Sequence, residues 1–289
     1  MRYREAYDLG RGQLAAFLQE RERDLEARLL LEHVCGTRLE TLLTEPERPL
    51  TEDEETRYLQ LLARRGERIP LAYLCGEASF MGLTFAVNEA VLIPRQDTEL
   101  LVEEAMQQMT GGTRVLDLCT GSGCVLLSLL HYSMDCEGTG TDLSEEALAV
   151  ARENAGRLGL SDTASFRHGD LFGALDPDDR PYDLIVSNPP YIRTDVIGTL
   201  MPEVRAHEPE MALDGGPDGL AFYRRIAKEA PAHLTIGGGL LMEIGYDQGD
   251  AVREILEREG YYEVEVRKDY NGLDRVVSAV RSMHMRTSL

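Results

Sequence analysis

The sequence predicts an α/β protein: a mainly parallel seven-stranded sheet with helices on both faces, preceded by a small helical domain. Three observations predict it. Candidate strands of five to seven residues recur from about residue 113 onward. Helical stretches lie between most of them. Residues 1 to about 75 carry helical periodicity alone. Strand alternating with helix is the pattern of a parallel sheet whose crossovers are helices.

The elements follow in order. Leu25, Ala27, Leu29, Leu30 and Val34 fit an amphipathic helix that stops at Gly36. Thr51-Glu52-Asp53-Glu54 reads as a capping box, in which Thr51 takes the third amide and Glu54 reaches back. That helix turns Tyr58, Leu61 and Leu62 inward and ends at Gly66, ahead of Pro70. Ser79 to Val87 reads as a small hairpin or extended linker turning at Gly82. The expected division is a helical domain over 1–75, a hairpin or linker over 76–93, and an α/β domain over 94–289. Arg95 and Thr98 stand just before a helix carrying Leu100, Leu101, Val102 and Met106. There Asp97 or Thr98 would cap the helix, or the loop would close over a bound ligand. Strands are expected over 113–118, 137–142, 164–168, 182–187, 238–244, 262–267 and 275–280, with Gly237-Gly238-Gly239 marking the start of the fifth. The polar, glycine-rich segment 193–220 reads as a solvated loop or a lid.

Composition removes several function classes. The 289 residues hold 43% apolar residues, enough for a sizeable core. No stretch is long and apolar enough to span a membrane, and Met1 to Glu5 lacks a signal peptide's apolar run. Five cysteines (35, 75, 119, 124, 136) are an odd number without paired spacing, as expected of reduced thiols in the cytoplasm. No metal site is expected, since Cys119 and Cys124 flank a glycine loop and the six histidines are scattered. A net charge of −21 disfavours a nucleic-acid backbone as the main partner and suits a basic protein.

Two motifs carry chemistry. In the first, the apolar run Val115-Leu116-Asp117-Leu118 passes through Cys119 and Thr120 into Gly121-Ser122-Gly123 and then a helix. Glycines let backbone approach a ligand, and a helix start supplies free N–H groups. The loop lacks the G-x-G-x-x-G spacing of dinucleotide binders and the Gly-Lys-Ser/Thr of a phosphate loop. Asp142, twenty-one residues after Gly121 at the end of the next strand, can bind both hydroxyls of a ribose or cap the helix beginning near Ser144. Asp170, followed by Leu171, can accept from an adenine amino group or serve as a turn residue. Adenosine without a bound phosphate, held by Asp117, Gly121, Asp142 and Asp170, suggests S-adenosylmethionine. The second motif is Asn188-Pro189-Pro190-Tyr191, after the strand Tyr182 to Ser187. Neither proline has an N–H, so the segment cannot continue a ladder. The Asn188 side-chain oxygen and the Pro189 carbonyl then offer two acceptors to a nitrogen bearing two N–H groups.

With these motifs in place the chain resembles the PrmC/HemK family. The resemblance rests on Ile93-Pro94-Arg95-Gln96-Asp97-Thr98-Glu99, the loop 115–124, Asn188-Pro189-Pro190-Tyr191-Ile192, Glu208 to Gly216, Lys268 to Arg275, and Glu26 to His33 in the helical domain. It covers most of the chain. It implies a class I S-adenosylmethionine-dependent methyltransferase fold, Rossmann-like, and methylation of the side-chain amide of the glutamine in the Gly-Gly-Gln loop of peptide chain release factors. It also implies cofactor contacts from Asp117, Cys119, Thr120, Gly121, Ser122, Gly123, Asp142, Asp170, Leu171 and Asn188. Asn188, Pro189, Pro190 and Tyr191 would receive the glutamine, with the Tyr191 ring as one wall of its slot. A monomer without stable nucleic-acid binding is expected. The chain departs from the family at Cys119, where glycine is usual, and at Leu171, where some relatives carry an aromatic residue. Cofactor binding should survive the first if Cys119 keeps extended geometry.

Asn-Pro-Pro-Tyr also occurs in DNA adenine methyltransferases, because an adenine amino group offers the same pair of donors. Those enzymes need a basic groove. Residues 1–93 carry 12 Arg against 17 acidic residues, and the rest of the chain is more acidic still. A ribosomal-protein glutamine methyltransferase would share fold and chemistry and differ in its client. A scaffold that binds the cofactor without turnover has no need of an intact Asn-Pro-Pro-Tyr.

Overall fold

The computed structural model describes residues 1–283. The chain forms two compact units, Met1–Glu77 with Met201–His207, and Ala78–Leu200 with Glu208–Leu289.

The first unit is helical, with α1 (Tyr3–Leu14), α2 (Glu20–Cys35), α3 (Leu39–Thr44), α4 (Glu52–Gly66) and α5 (Leu71–Cys75). Helix α2 ends at Gly36 in the left-handed conformation, φ 61°. Its buried stripe is Ala27, Leu30, Leu31 and Val34; Leu25, expected inward, is exposed. The Thr51 box forms in full, with Glu54 N donating to Thr51 Oγ1 at 3.1 Å and Thr51 N to Glu54 Oε2 at 2.8 Å. Tyr58 is fully buried and donates to the Ala27 carbonyl at 3.2 Å. Residues 201–207 join this unit through Glu203. Arg68 grips its carboxylate at 2.8 and 2.7 Å, and Arg65 reaches it at 3.4 Å while forking onto Glu26 at 2.6 and 3.1 Å. Buried guanidinium needs such partners, since an unpaired buried charge is strongly destabilising.

Beyond it the chain makes a hairpin, β1 (Glu77–Phe80) and β2 (Leu83–Ala86). Its two turn residues, Met81 and Gly82, both have positive φ (51° and 72°), the combination a tight hairpin requires. Then follow α6 (Gln96–Gln108), β3 (Arg114–Leu118), α7 (Cys124–Tyr132), β4 (Glu137–Asp142), α8 (Glu145–Leu158), β5 (Ala164–His168), β6 (Tyr182–Ser187), α9 (Thr194–Ile197), α10 (Pro202–His207), α11 (Ala221–Glu229), β7 (Leu234–Glu243), α12 (Gly249–Arg258), β8 (Tyr262–Lys268) and β9 (Asp274–Val280). The seven-stranded sheet has the order β5-β4-β3-β6-β7-β9-β8. Its first four pairings are parallel, and β9 runs antiparallel to both neighbours. Two readings need correction. The glycine run 237–239 lies inside β7, not at its start, and the register against β6 slips there, with Gly237 at φ 79°. Thr98 is buried within α6, whose N-cap is Arg95 with no side-chain cap.

Side chains alternate cleanly across the sheet. Val115, Leu184, Val186, Leu241 and Val276 join a core with Leu101, Val102 and Leu126 of α6 and α7. Leu116, Leu118, Ile185, Leu240, Met242 and Val277 join one with Tyr223, Ile226, Val252 and Leu256 of α11 and α12. By the same alternation Asp117 and Glu243 belong to the α6–α7 side. The chain leaves β3 toward β4 and β5 on one side, then returns to lay β6 on the other. The crevice at the carboxyl ends of β3 and β6 is therefore the topological switch point, where such sheets bind ligands.

Among the described residues no helix is long and apolar enough to cross a membrane.

Candidate active site

A cleft of about 390 Å³ opens at that switch point. This lies within the span of roughly 300–1,000 Å³ typical of small-molecule sites. Its lining draws on every strand end the sequence singled out: Asp117 in β3 and Cys119 to Ser122 after it, Asp142 ending β4, Asp170 and Leu171 after β5, and Asn188 and Pro190 after β6. Pro189, Tyr191 and Gly123 are outside that lining.

The glycine loop is built by backbone conformation. Cys119, Gly121 and Gly123 all have positive φ, 59°, 55° and 78°. The condition of extended geometry at Cys119 is thus not met. The loop needs a left-handed residue there, and a thiol-bearing side chain occupies it at a cost of about 1–2 kcal/mol. A Cβ built on Gly121 meets no protein atom within 4 Å, so only its dihedral demands glycine. At Gly123 a Cβ would crowd Leu127 at 3.1 Å and Ala151 at 3.2 Å, so this glycine serves packing of α7 on α8. Beneath the loop, Asp117 accepts from the Thr120 hydroxyl at 2.6 Å. Burial pushes the Asp117 carboxyl up to about 7, the neighbouring charge of Asp142 adds to this, and the Thr120 and Leu126 hydrogen bonds oppose it.

Asp142 braces two backbone amides and does not cap α8, whose N-cap is Ser144 with its hydroxyl accepting from Ala147 N. Its Oδ1 accepts from Ser144 N at 2.9 Å, just ahead of α8, and its Oδ2 accepts from Gly121 N at 2.9 Å. Each oxygen retains a lone pair, which suits a vicinal diol. Burial raises its pKa against three backbone hydrogen bonds. Asp170 pairs with Arg225 of α11 at 2.9 Å, both groups half exposed. Leu171 is buried with φ 50°. Phe222, one turn before Arg225, places an aromatic ring in the same lining. The donor set therefore fits an adenosine: a carboxylate for the ribose, apolar walls from Leu171 and Phe222, and, among the described residues, only the carboxylate-paired Arg95 and Arg225 as cations in the lining, where a phosphate would demand a cluster of free ones.

At the second motif, Asn188 Nδ2 donates to Thr98 Oγ1 at 3.3 Å, which leaves Oδ1 as the free acceptor. No backbone N–H among the described residues donates to the carbonyls of Asn188 or Pro189. Tyr191 differs from its expected place as a slot wall. Its ring packs on the α11–α12 core, and its hydroxyl donates to Glu243 Oε1 at 3.1 Å. The Tyr191 carbonyl accepts from Gln248 Nε2 at 3.0 Å. Residues 208–219 are laid along this exit: Ile192 N donates to the Leu213 carbonyl at 2.9 Å, and Gly215 N to the Ile192 carbonyl at 2.8 Å. Pro209, Met211, Ala212 and Asp214 then complete the cleft, and the nearly fully buried Glu208 carboxylate pairs with Arg95.

Sequence reading missed Glu243, Gln248, Phe222 and Arg225. For Glu243 a signal existed: an acidic residue interrupts the apolar run Leu240-Leu241-Met242-Glu243-Ile244. Gln248 is the N-cap ahead of α12 and Arg225 sits on the amphipathic α11, and neither gave one.

Comparison with known proteins agrees with this geometry. The PrmC N-terminal domain matches residues 11–76, and the methyltransferase small domain matches residues 95–203. The chain is 44% identical over 260 residues to the release factor glutamine methyltransferase of Caulobacter vibrioides, covering 89% of each. It is 46% identical to that of Bordetella pertussis, covering 87% of this chain and 93% of the relative. It is 42% identical to that of Moorella thermoacetica, covering 97% and 99%. A methyltransferase structure from Pyrococcus furiosus shares the fold at 18% identity, with a TM-score of 0.53 over 81% of this chain and all of that one. With such relatives matched over nearly their whole length, the chain belongs to the release factor glutamine methyltransferase family.

Proposed function

We propose that this enzyme methylates the side-chain amide nitrogen of the glutamine in the Gly-Gly-Gln loop of peptide chain release factors, with S-adenosylmethionine as donor. The observation that carries the reading is the exit of β6. There Asn188 lines the cleft with its amide nitrogen already committed to Thr98, beside main-chain carbonyls that no backbone N–H among the described residues satisfies. A primary amide nitrogen is a poor nucleophile because its lone pair is delocalised. Asn188 Oδ1 and the Pro189 carbonyl would each accept one of its N–H groups, fix its direction and raise its electron density. Those bonds strengthen as the nitrogen pyramidalises and its protons become more acidic, so they favour the transition state over the ground state. Orientation of this kind is worth up to ~7–11 kcal/mol.

S-adenosylmethionine supplies, when bound, a methyl group already activated on a sulfonium. Asp142 would hold the ribose, Asp117 with Cys119 to Gly123 would cradle the rest of the nucleoside, and Asp170 and Leu171 would meet the adenine, with Asn188 at the junction. No side chain need act as a general base, because the methylated nitrogen sheds its extra proton readily to water. Tyr191 would act by anchoring the loop that bears the acceptors. The helical domain over residues 1–75 would recognise the body of the release factor, the α/β domain over 94–289 would do the chemistry, and the enzyme would work as a cytoplasmic monomer without stable nucleic-acid binding. A ribosomal-protein client would use the same site, but the curated relatives named above are release factor enzymes.

The test is incubation with labelled S-adenosylmethionine and purified release factors, followed by peptide mass mapping. Label should appear on the glutamine of the Gly-Gly-Gln loop and vanish when that glutamine is replaced by glutamate. Transfer to the glutamate variant, or to DNA and not to a release factor, would overturn the assignment.

A further inference from the structure

We infer that Glu243 is a positioning residue for methyl transfer, its carboxylate setting the direction of the Asn188 amide through the Thr98 hydroxyl. The inference rests on the reading of Asn188 given above. Glu243 is the last residue of β7, the strand beside β6, and is 2% exposed. A carboxylate at that depth needs a reason, and its surroundings are few. Its Oε1 accepts from Tyr191, while Oε2 is buried without a hydrogen-bond partner among the described residues. Thr98 of α6 faces it from the same side of the sheet, Arg275 of β9 attracts it, and Asp97 repels it. Burial raises the Glu243 pKa, opposed by the two hydroxyls and by Arg275.

The chemistry is one of polarity. An ionised carboxylate accepts and never donates, so any hydroxyl turned to it must be the donor. Rotated toward the unpartnered Glu243 Oε2, the Thr98 hydroxyl would donate its proton there, and Thr98 Oγ1 is left to accept. Asn188 lies 3.3 Å from that oxygen and can answer only with its NH₂ group. Its Oδ1 is then the atom presented to an incoming amide. The same carboxylate ties the Tyr191 hydroxyl, so both ends of Asn188-Pro189-Pro190-Tyr191 hang from one buried charge. A neutral amide in place of Glu243 would donate as well as accept. Thr98 could then reverse, the Asn188 amide could flip, and its NH₂ would face the substrate's N–H groups.

The experiment compares Glu243→Gln, Thr98→Val, their combination and Thr98→Ser, with each variant's fold checked by thermal unfolding. Glu243→Gln should lower kcat by roughly tenfold or more, by analogy with loss of one oriented hydrogen bond, while the KM for S-adenosylmethionine stays near wild type. Thr98→Val should lose turnover similarly, and Thr98→Ser, which keeps the hydroxyl, should recover most of it. The combined variant should lose no more than the worse single one, since both act through one chain. Wild-type kcat in a folded Glu243→Gln protein, multiplying losses in the combined variant, or Thr98→Ser as impaired as Thr98→Val would each overturn the inference. If Glu243→Gln does not fold, Glu243→Met, which removes the acceptor, takes its place under the same criteria. Full activity in Asn188→Ala would instead sink the reading of Asn188 itself, which separates the two failures.

Discussion

Replacing Gly215 by alanine should cripple turnover by pushing on the acceptor loop from behind. Gly215 needs no left-handed backbone; what it lacks is room. A Cβ there would lie 2.7 Å from Tyr191 Cα, 2.8 Å from the Tyr191 carbonyl carbon and 2.9 Å from the Pro190 oxygen. All three are backbone atoms, so no side chain can swing aside. Relief to the 3.4 Å at which ordinary contact begins requires a shift of about 0.7 Å between the two segments. Overpacking of this kind costs ~1–3 kcal/mol, or a fall in Tm of roughly 2–12 °C for a domain of this size. The rate should suffer more, because a misplacement near 1 Å can cost about 10² in kcat. Gly216→Ala is the control. Its φ is +87°, so alanine there bears the left-handed penalty of about 1–2 kcal/mol, yet its Cβ meets only Ala221 Cβ at 3.3 Å. Both variants should therefore lose stability, and only Gly215→Ala should lose kcat by more than a few fold. The assay is single-turnover methylation of a release factor at saturating cofactor, alongside thermal unfolding. Wild-type kcat in folded Gly215→Ala, or equal losses in the two variants, would refute the close-approach reasoning.

Three further outcomes are expected. Asn188→Ala should keep S-adenosylmethionine affinity within a few fold in calorimetry and lose about 10²–10³ in single-turnover rate, the worth of one oriented hydrogen bond at the transition state. Asp142→Ala should weaken cofactor binding by ~1.5–3 kcal/mol, as for a charge-assisted bond; because Asp142 also holds Ser144 N and Gly121 N, its melting temperature should fall too. Asp117→Asn concerns pH: burial raises this carboxyl to about 7, so the folded protein binds a proton that the unfolded chain has released above about 4. Stability of the parent should fall as pH rises from about 4 to about 7, and urea titrations of the asparagine variant should show a shallower slope over that window.

The strands were legible because central parallel strands are buried on both faces and read as unbroken apolar runs. Leu184 to Val186 is such a run, and Val115 to Leu118 is one broken only by Asp117; both are fully or nearly fully buried. The cofactor loop was legible because glycines mark backbone that must turn tightly. What the sequence hid were properties settled by tertiary context. Nothing in Cys119 announces a φ of 59°; only the course from β3 to α7 imposes it. Thr98 looked like a helix cap because hydroxyls usually cap, yet it lies inside α6 where the Asn188 amide needs an oxygen. Residues 201–207 looked like part of a solvated segment, and their placement depends on the distant Arg65 and Arg68.

The scattered motifs acquire a common cause once the exit of β6 is seen as a segment that cannot brace itself. Two successive prolines supply no N–H groups, so the acceptor loop lacks the donors with which a chain normally pins its own carbonyls. Support has to come from elsewhere, and three of the blocks that carry the resemblance supply some. The block at 93–99 supplies Thr98 for the Asn188 amide and Arg95 for Glu208. The block at 208–216 supplies Gly215 and the carbonyl of Leu213. The block at 268–275 supplies Arg275, which is nearly buried and reaches Asp97 at 3.2 Å and Asp269 at 3.1 Å, so that the start of α6 is tied to the end of the sheet. Gln248 holds the Tyr191 and Gly219 carbonyls at 3.0 and 3.2 Å with one amide. An acceptor that must hold a weak nucleophile in line tolerates little play, and a loop without internal donors gains rigidity only through such external contacts.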